Sequence, residues 1–138
     1  MWTYEHTIDT SAAPEAIWRI WADVPNWGTW NPDIAKIEIR GPFAVGADIT
    51  MTTAGQDPVR LRVAELTDGE QFTDEAHLAG VTLRTTHRVD RLGHGRTRVT
   101  YRMDITGPAA DDVGPQLGPA ITADFPETMA ALVARAQR

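Results

Sequence analysis

Four side chains in the second half of the chain could do chemistry together: Asp74, Thr85, His87 and Tyr101. His87 can take or deliver a proton near neutral pH. Asp74, or a second carboxylate at Glu65, can orient that imidazole or act as a base when desolvated, and Tyr101 can donate to a developing enolate oxygen. An aldol cyclisation or a dehydration needs these groups. A passive pocket uses the same groups to hold a carbonyl or a hydroxyl. Catalysis therefore rests, if present, on His87, Asp74 and Tyr101.

Other chemistries find no footing. The chain has no cysteine, which removes thiolate nucleophiles, disulfides and thiolate-ligated metals. Ser11 is the only serine and sits in the loop before the first helix, where backbone capping explains it. Lys36, the only lysine, falls on the outward face of its strand, against a Schiff-base role. His6, His77, His87 and His94 show no metal-ligand spacing. We therefore expect no metal and no cofactor.

The elements that must position the four residues are strands. Residues 2–9 alternate, with Trp2, Tyr4, His6 and Ile8 on one face. Pro14 suits the first turn of a helix carrying Ile17, Trp18, Ile20 and Trp21, and residues 26–32 read as a second short helical turn ending before Pro32. Six more period-two segments follow, at 36–40, 48–53, 59–63, 71–78, 81–91 and 96–106. Beyond Gly107-Pro108 the spacing becomes helical, with Leu117, Ile121, Phe125, Met129, Leu132 and Val133 on one stripe and a kink expected at Pro126. The order predicts an α+β fold: a curved, seven-stranded antiparallel sheet around a long C-terminal helix, with two short helices between strands 1 and 2. Residues 1–138 make a single domain.

Turn signals then set the register. A two-residue turn at Asp68-Gly69, another at Ala79-Gly80 and a three-residue loop at Gly93-His94-Gly95 keep the apolar face of each strand inward. Two inner rows follow: Val63, Asp74, Thr85 and Met103, then Glu65, Phe72, His87 and Tyr101. Polar groups thus converge on an otherwise apolar face, where each needs a partner, water or a shifted pKa. Trp27, Trp30, Met51, Phe72, Met103, Leu117, Ile121 and Phe125 would supply the apolar wall, and Glu65, Asp74, Thr85, His87 and Tyr101 the polar contacts.

Thirteen basic and 19 acidic residues give a net charge of −6, which argues against nucleic acid or an anionic membrane as the main partner. No leader-like or membrane-spanning stretch is visible, so stable membrane insertion is not expected and a cytoplasmic location is. Oligomeric state cannot be read.

The layout also carries a family likeness. The segments APEAIWRIWADVPNWGTWNPDI (13–34), IRGPFAVG (39–46) and THRVDRLGHGRTRVTYRMDITGP (86–108), followed by a Pro-broken final helix, resemble the polyketide cyclase/dehydrase and lipid-transport group of the START-like (SRPBCC) superfamily. The resemblance implies the helix-grip fold and a deep cavity between the sheet and the last helix. It carries over no invariant catalytic residue, because members differ in their pocket residues. Three readings stay open: a binding domain for a small hydrophobic or aromatic molecule, a polyketide cyclase or dehydratase, and a structural or regulatory interaction protein with a filled cavity.

Overall fold

Alternating side chains half-buried on one face make strands, and the described residues, 1–138, follow that rule closely in the computed structural model. In chain order the elements are β1 (Trp2–Thr10), α1 (Pro14–Ala22), a 3-10 helix (Val24–Thr29), β2 (Ile34–Arg40), β3 (Asp48–Thr53), β4 (Val59–Thr67), β5 (Gln71–Leu78), β6 (Val81–Gly93), β7 (Arg96–Thr106), α2 (Ala110–Thr122) and α3 (Phe125–Ala136). The strands form one antiparallel sheet in the order β1-β7-β6-β5-β4-β3-β2. The chain leaves β1, crosses to the far edge through α1 and the 3-10 helix, and returns hairpin by hairpin until β7 pairs with β1. This is the expected helix-grip architecture.

The last helix is bent. It divides at Ala123 and Asp124 into α2 and α3, and Pro126 lies in the first turn of α3. Pro126 has no N–H to offer the Thr122 carbonyl one turn back, so the helix breaks just before it, and the expected kink takes the form of a division with Pro126 in the first turn of the second segment. The expected inner stripe is only partly right. Phe125, Met129, Leu132 and Val133 are buried, whereas α2 buries Ala110, Gly114, Gly118 and Thr122 and leaves Leu117 and Ile121 half-exposed. The reason is Trp2. A Cβ on Gly118 would lie 2.6 Å from three atoms of its indole, and one on Gly114 2.6 Å from its Cβ. Glycine lets α2 lie flush on β1, which turns the larger side chains to the flank.

Register bears out the inner rows with one correction. Asp74 pairs with Val63 and Thr85, and Thr85 with Met103, while His87 pairs with Phe72 and Tyr101. Asp74 and His87 share the inner face. Glu65, however, pairs with Thr73, and Leu66 takes the place opposite Phe72. The connection at Asp68-Gly69-Glu70 is one residue longer than expected, and a β-bulge at Ala64 absorbs the difference, so Glu65 emerges on the outer face beside Arg84 (3.2 Å). In the last hairpin the ladder runs on to Gly93 and Arg96, leaving a two-residue turn at His94-Gly95, both with positive φ, and a bulge at Leu92. The pairing of His87 with Tyr101 is as expected, although reached by a different loop.

Candidate functional site

Each polar side chain of the inner face owes its position to the ladder around it. One row runs Val63, Asp74, Thr85, Met103 and Tyr4 across five strands; the next runs Leu66, Phe72, His87, Tyr101 and His6. Tyr4 and His6 join because β7 closes on β1.

Around His87 the space is filled with rings. Its imidazole stacks on Phe72 at a centroid distance of 4.1 Å and an interplanar angle of 4°, and meets the edges of Tyr101 (4.7 Å) and Trp21 (5.9 Å). Phe43, Trp18 and Trp27 continue the array around Phe72. Such edge and offset contacts stabilise a core beyond simple area burial. Nδ1 of His87 faces the Phe72 carbonyl at 3.4 Å. A carbonyl only accepts, so Nδ1 carries the proton and Nε2 presents a lone pair. Burial pushes the pKa of His87 down to about 3, only partly opposed by that carbonyl. The imidazole is consequently neutral at physiological pH. The proton exchange near neutrality expected of it does not fit this environment, whereas accepting a hydrogen bond does.

Tyr101 is also enclosed. Its oxygen accepts a hydrogen bond from Trp21 Nε1 at 3.2 Å, which leaves its own O–H free to donate, and burial raises its pKa above the ordinary phenol value.

Asp74 is the outlier. It is 5% exposed in apolar surroundings, and burial, reinforced by neighbouring Glu75, raises its pKa to about 7. No hydrogen bond from the protein opposes that shift. Nor is the carboxyl sealed off, because the one fully enclosed side-chain polar atom without a partner is Trp30 Nε1. Its oxygens therefore touch open space on the inner face. Beside it, Thr85 stays half-exposed in the middle of the sheet, and its hydroxyl finds only the thioether of Met103, at 3.8 Å. A thioether is a weak acceptor, so this hydroxyl is easily given to something better.

The same open space explains a set of half-exposed apolar side chains. Met51, with Ile37 and Ile39 beside it on β2 and Leu61 on β4, faces inward without being buried, and Leu117 and Ile121 on the flank of α2 are half-exposed as well. The helices are spent elsewhere: α2 packs on β1 and β7, α3 on β1 and α1, α1 on β6. Inner-face side chains of β2–β4 are thus left incompletely covered, with Asp74 and Thr85 beside them on β5 and β6.

Some expected wall residues serve otherwise. Phe72, Met103 and Phe125 are core, at 7% exposure or less. Trp27 is buried and ties the 3-10 helix to α1 through an Nε1 hydrogen bond to the Trp21 carbonyl (3.0 Å). Trp30 borders a separate cleft of about 280 Å³ between α1 and α3. A second cleft, of about 590 Å³, opens between α1 and the ends of β4, β5 and β6, over Trp18. Neither cleft includes Asp74, Thr85, His87 or Tyr101. Sequence reasoning missed Leu66, hidden by the Ala64 bulge, and Tyr4 and His6, whose alternation was visible but whose pairing with the last strand was not. No group of three or more His, Asp or Glu side chains gathers as a metal site would require, and no helix is long and apolar enough to cross a membrane.

Comparison with known proteins places this architecture. The fold matches norcoclaurine synthase from Thalictrum flavum, solved with dopamine and hydroxybenzaldehyde, at a TM-score of 0.77 and 16% identity over 96% of this chain and 84% of that one. It matches the Zhui aromatase/cyclase from Streptomyces sp. R1128 at a TM-score of 0.76 and 20% identity over 99% and 93%. A START superfamily protein from Mycobacterium smegmatis gives 0.74 and 18% over 98% and 97%. At these identities the likeness shows the fold alone. No curated protein matches the sequence. The family model does: over residues 1–137 the chain fits the polyketide cyclase / dehydrase and lipid transport model, and it belongs to that family.

Proposed function

We propose that this protein binds a small hydrophobic or aromatic molecule bearing a carbonyl or hydroxyl group, in the groove between the inner face of the sheet and α2. The observation that carries the reading is Asp74: a buried carboxyl without a protein partner, beside an under-satisfied Thr85, on an apolar wall. An orphaned buried polar group is costly, and a ligand oxygen that pairs with it recovers that cost while apolar area supplies the rest. With a pKa of about 7, Asp74 is partly protonated at neutral pH and can donate to a carbonyl or accept from a hydroxyl. Family membership, and the aromatic compounds in the norcoclaurine synthase complex, support the class of ligand.

Native mass spectrometry of the purified protein tests for a co-purifying ligand, and a matched probe pair tests the polar contact. We expect 2-naphthol to bind more tightly than naphthalene, and Asp74→Ala to remove about tenfold of affinity from the naphthol alone. Failure of both probes to saturate refutes the reading.

A second reading has one observation in its favour. A carboxyl that titrates near neutrality is suited to acid–base work, so the groove could promote cyclisation or dehydration of a poly-β-keto chain, with Asp74 moving the proton and Tyr101 donating to the enolate oxygen. Turnover of such a substrate, lost in Asp74→Asn with affinity retained, would separate it from passive binding.

A further inference from the structure

Charge pairing over the outer face of β6 and β7 is thorough: Arg84 meets Glu65 and Glu75, Arg88 meets Asp90, and Arg98 meets Asp9. Arg19, Arg135 and Arg138 differ. None of them forms an ion pair, and all three border the 280 Å³ cleft between α1, the 3-10 helix and α3. Asp23 is the only acidic side chain there, and its carboxylate already accepts a hydrogen bond from Asn26 Nδ2 at 2.8 Å. Three arginines thus border this cleft against a single acidic side chain, in a chain whose net charge is −6.

The cleft is built as well as charged. Arg135 reaches from α3 to the end of the 3-10 helix, donating to the Thr29 carbonyl (3.4 Å) and to Thr29 Oγ1 (3.1 Å), so its fork is held in place before anything binds. Arg19 projects from α1 on the opposite wall. Half-buried Trp30 and Ile20 give the cleft an apolar side. Guanidinium donors outnumber acidic side chains here. Guanidinium groups match the oxygens of carboxylates and phosphates in fork geometry. The volume is at the lower end for ligand pockets, which suits a single ring and not a polycycle.

We propose that this cleft is a second binding site, distinct from the inner-face groove, for an oxyanion group carried on a small planar apolar body, with Arg19 and Arg135 clamping the oxygens and Trp30 flanking the ring. The site does not depend on the groove being occupied, since neither Asp74 nor Thr85 borders it.

Titration of the intact protein with phenyl phosphate, benzoate, benzamide and inorganic phosphate, followed by calorimetry and by the NMR signals of the tryptophan indole N–H groups and arginine Nε–H groups, tests this. Phenyl phosphate and benzoate should saturate, shifting Trp30 and Arg19. Benzamide, isosteric with benzoate but uncharged, should bind about tenfold more weakly or not at all. Arg19→Gln, at an exposed position, should weaken benzoate by about fivefold or more, and Arg19→Gln/Arg135→Gln should abolish saturation. Arg60→Gln, an exposed arginine on β4 without an ion pair, should leave binding unchanged. Arg135 holds Thr29, so the melting temperature of the double variant is checked; if it is unfolded, Arg19→Gln alone carries the test. Absence of saturation, equal binding of benzamide and benzoate, or an equal loss in Arg60→Gln overturns the site. Equal affinity for inorganic phosphate and phenyl phosphate overturns the planar-body requirement by assigning the cleft to a free anion.

Discussion

Asp74 should make the stability of this protein fall as pH rises through the neutral range, and Asp74→Asn should remove that dependence. The carboxyl's pKa is raised from 3.8 to about 7, chiefly by burial. Below pH 4 the group is protonated in both folded and unfolded chains and contributes nothing. Between the two pKa values the folded state keeps a proton that the unfolded chain has released, so unfolding becomes progressively easier as pH increases. Above pH 7 the penalty is complete. A shift of about three pKa units at 1.36 kcal/mol each gives roughly 4 kcal/mol, a large fraction of a small domain's stability. The asparagine of the variant is about as large and would be equally buried, but it does not ionise. Urea denaturation of both proteins from pH 4 to pH 8 isolates the effect, since His87, Glu75 and every other titrating group are common to the two. The advantage of the variant over wild type should grow by about 2–4 kcal/mol across that range. A difference that stays constant within about 0.5 kcal/mol would refute the placement of Asp74 in an apolar, unpartnered setting.

The remaining predictions concern the rest of the face and its supports. His87, held neutral by burial with a pKa of about 3, should show imidazole NMR signals that do not move between pH 8 and pH 5, and its contribution to stability should be lost as pH falls from about 6.5 towards 3, where only the unfolded chain accepts the proton; a midpoint near 6.5 would mean that the aromatic cage is open. Gly118→Ala should destabilise by about 1–2 kcal/mol despite the better helix propensity of alanine, because its Cβ meets the Trp2 indole at 2.6 Å, and Trp2→Leu in the same background should recover part of the loss in thermal melts. Glu65→Gln should cost less than about 1 kcal/mol and leave probe binding in the groove unchanged, since Glu65 forms a solvent-screened pair with Arg84 on the outer face; a strong effect on binding would restore it to the inner face.

Strand identity was legible because one face of the sheet is buried and the other wet, so a period of two survives from Trp2 to Thr106. The inner placement of Asp74, Thr85, His87 and Tyr101 was legible for the same reason: parity binds neighbouring strands together, and glycine marked all three turns, although only the Ala79-Gly80 turn has the expected length. Glu65 was not legible. The only mark of the bulge at Ala64 is a switch of parity, from Val59, Leu61 and Val63 to Leu66, which a strand taken to end at Val63 does not register. The electrostatic character of His87 and Asp74 was hidden too, since both read as polar residues on an apolar face. One is walled in by Phe72, Tyr101 and Trp21, while the other borders open space; only three-dimensional packing tells them apart. The packing role of Gly114 and Gly118 was not legible either, because the indole they accommodate lies at the other end of the sequence.

The bulge at Ala64 also bears on how length can vary within the sheet. Glu65 and Leu66 on one side of it, and Val63 and Arg62 on the other, each keep a regular partner on β5, with Ala64 as the residue left over between them. Removing Ala64 would join two ladders that already agree, so each remaining side chain of β4 would stay on its own face and only the local bend would be lost. Removing Arg62 instead would turn one end of the strand inside out and carry a charge into the groove. When relatives of different length are aligned, a one-residue gap in this hairpin accordingly belongs inside the strand, opposite Ala64, where a deletion is structurally silent.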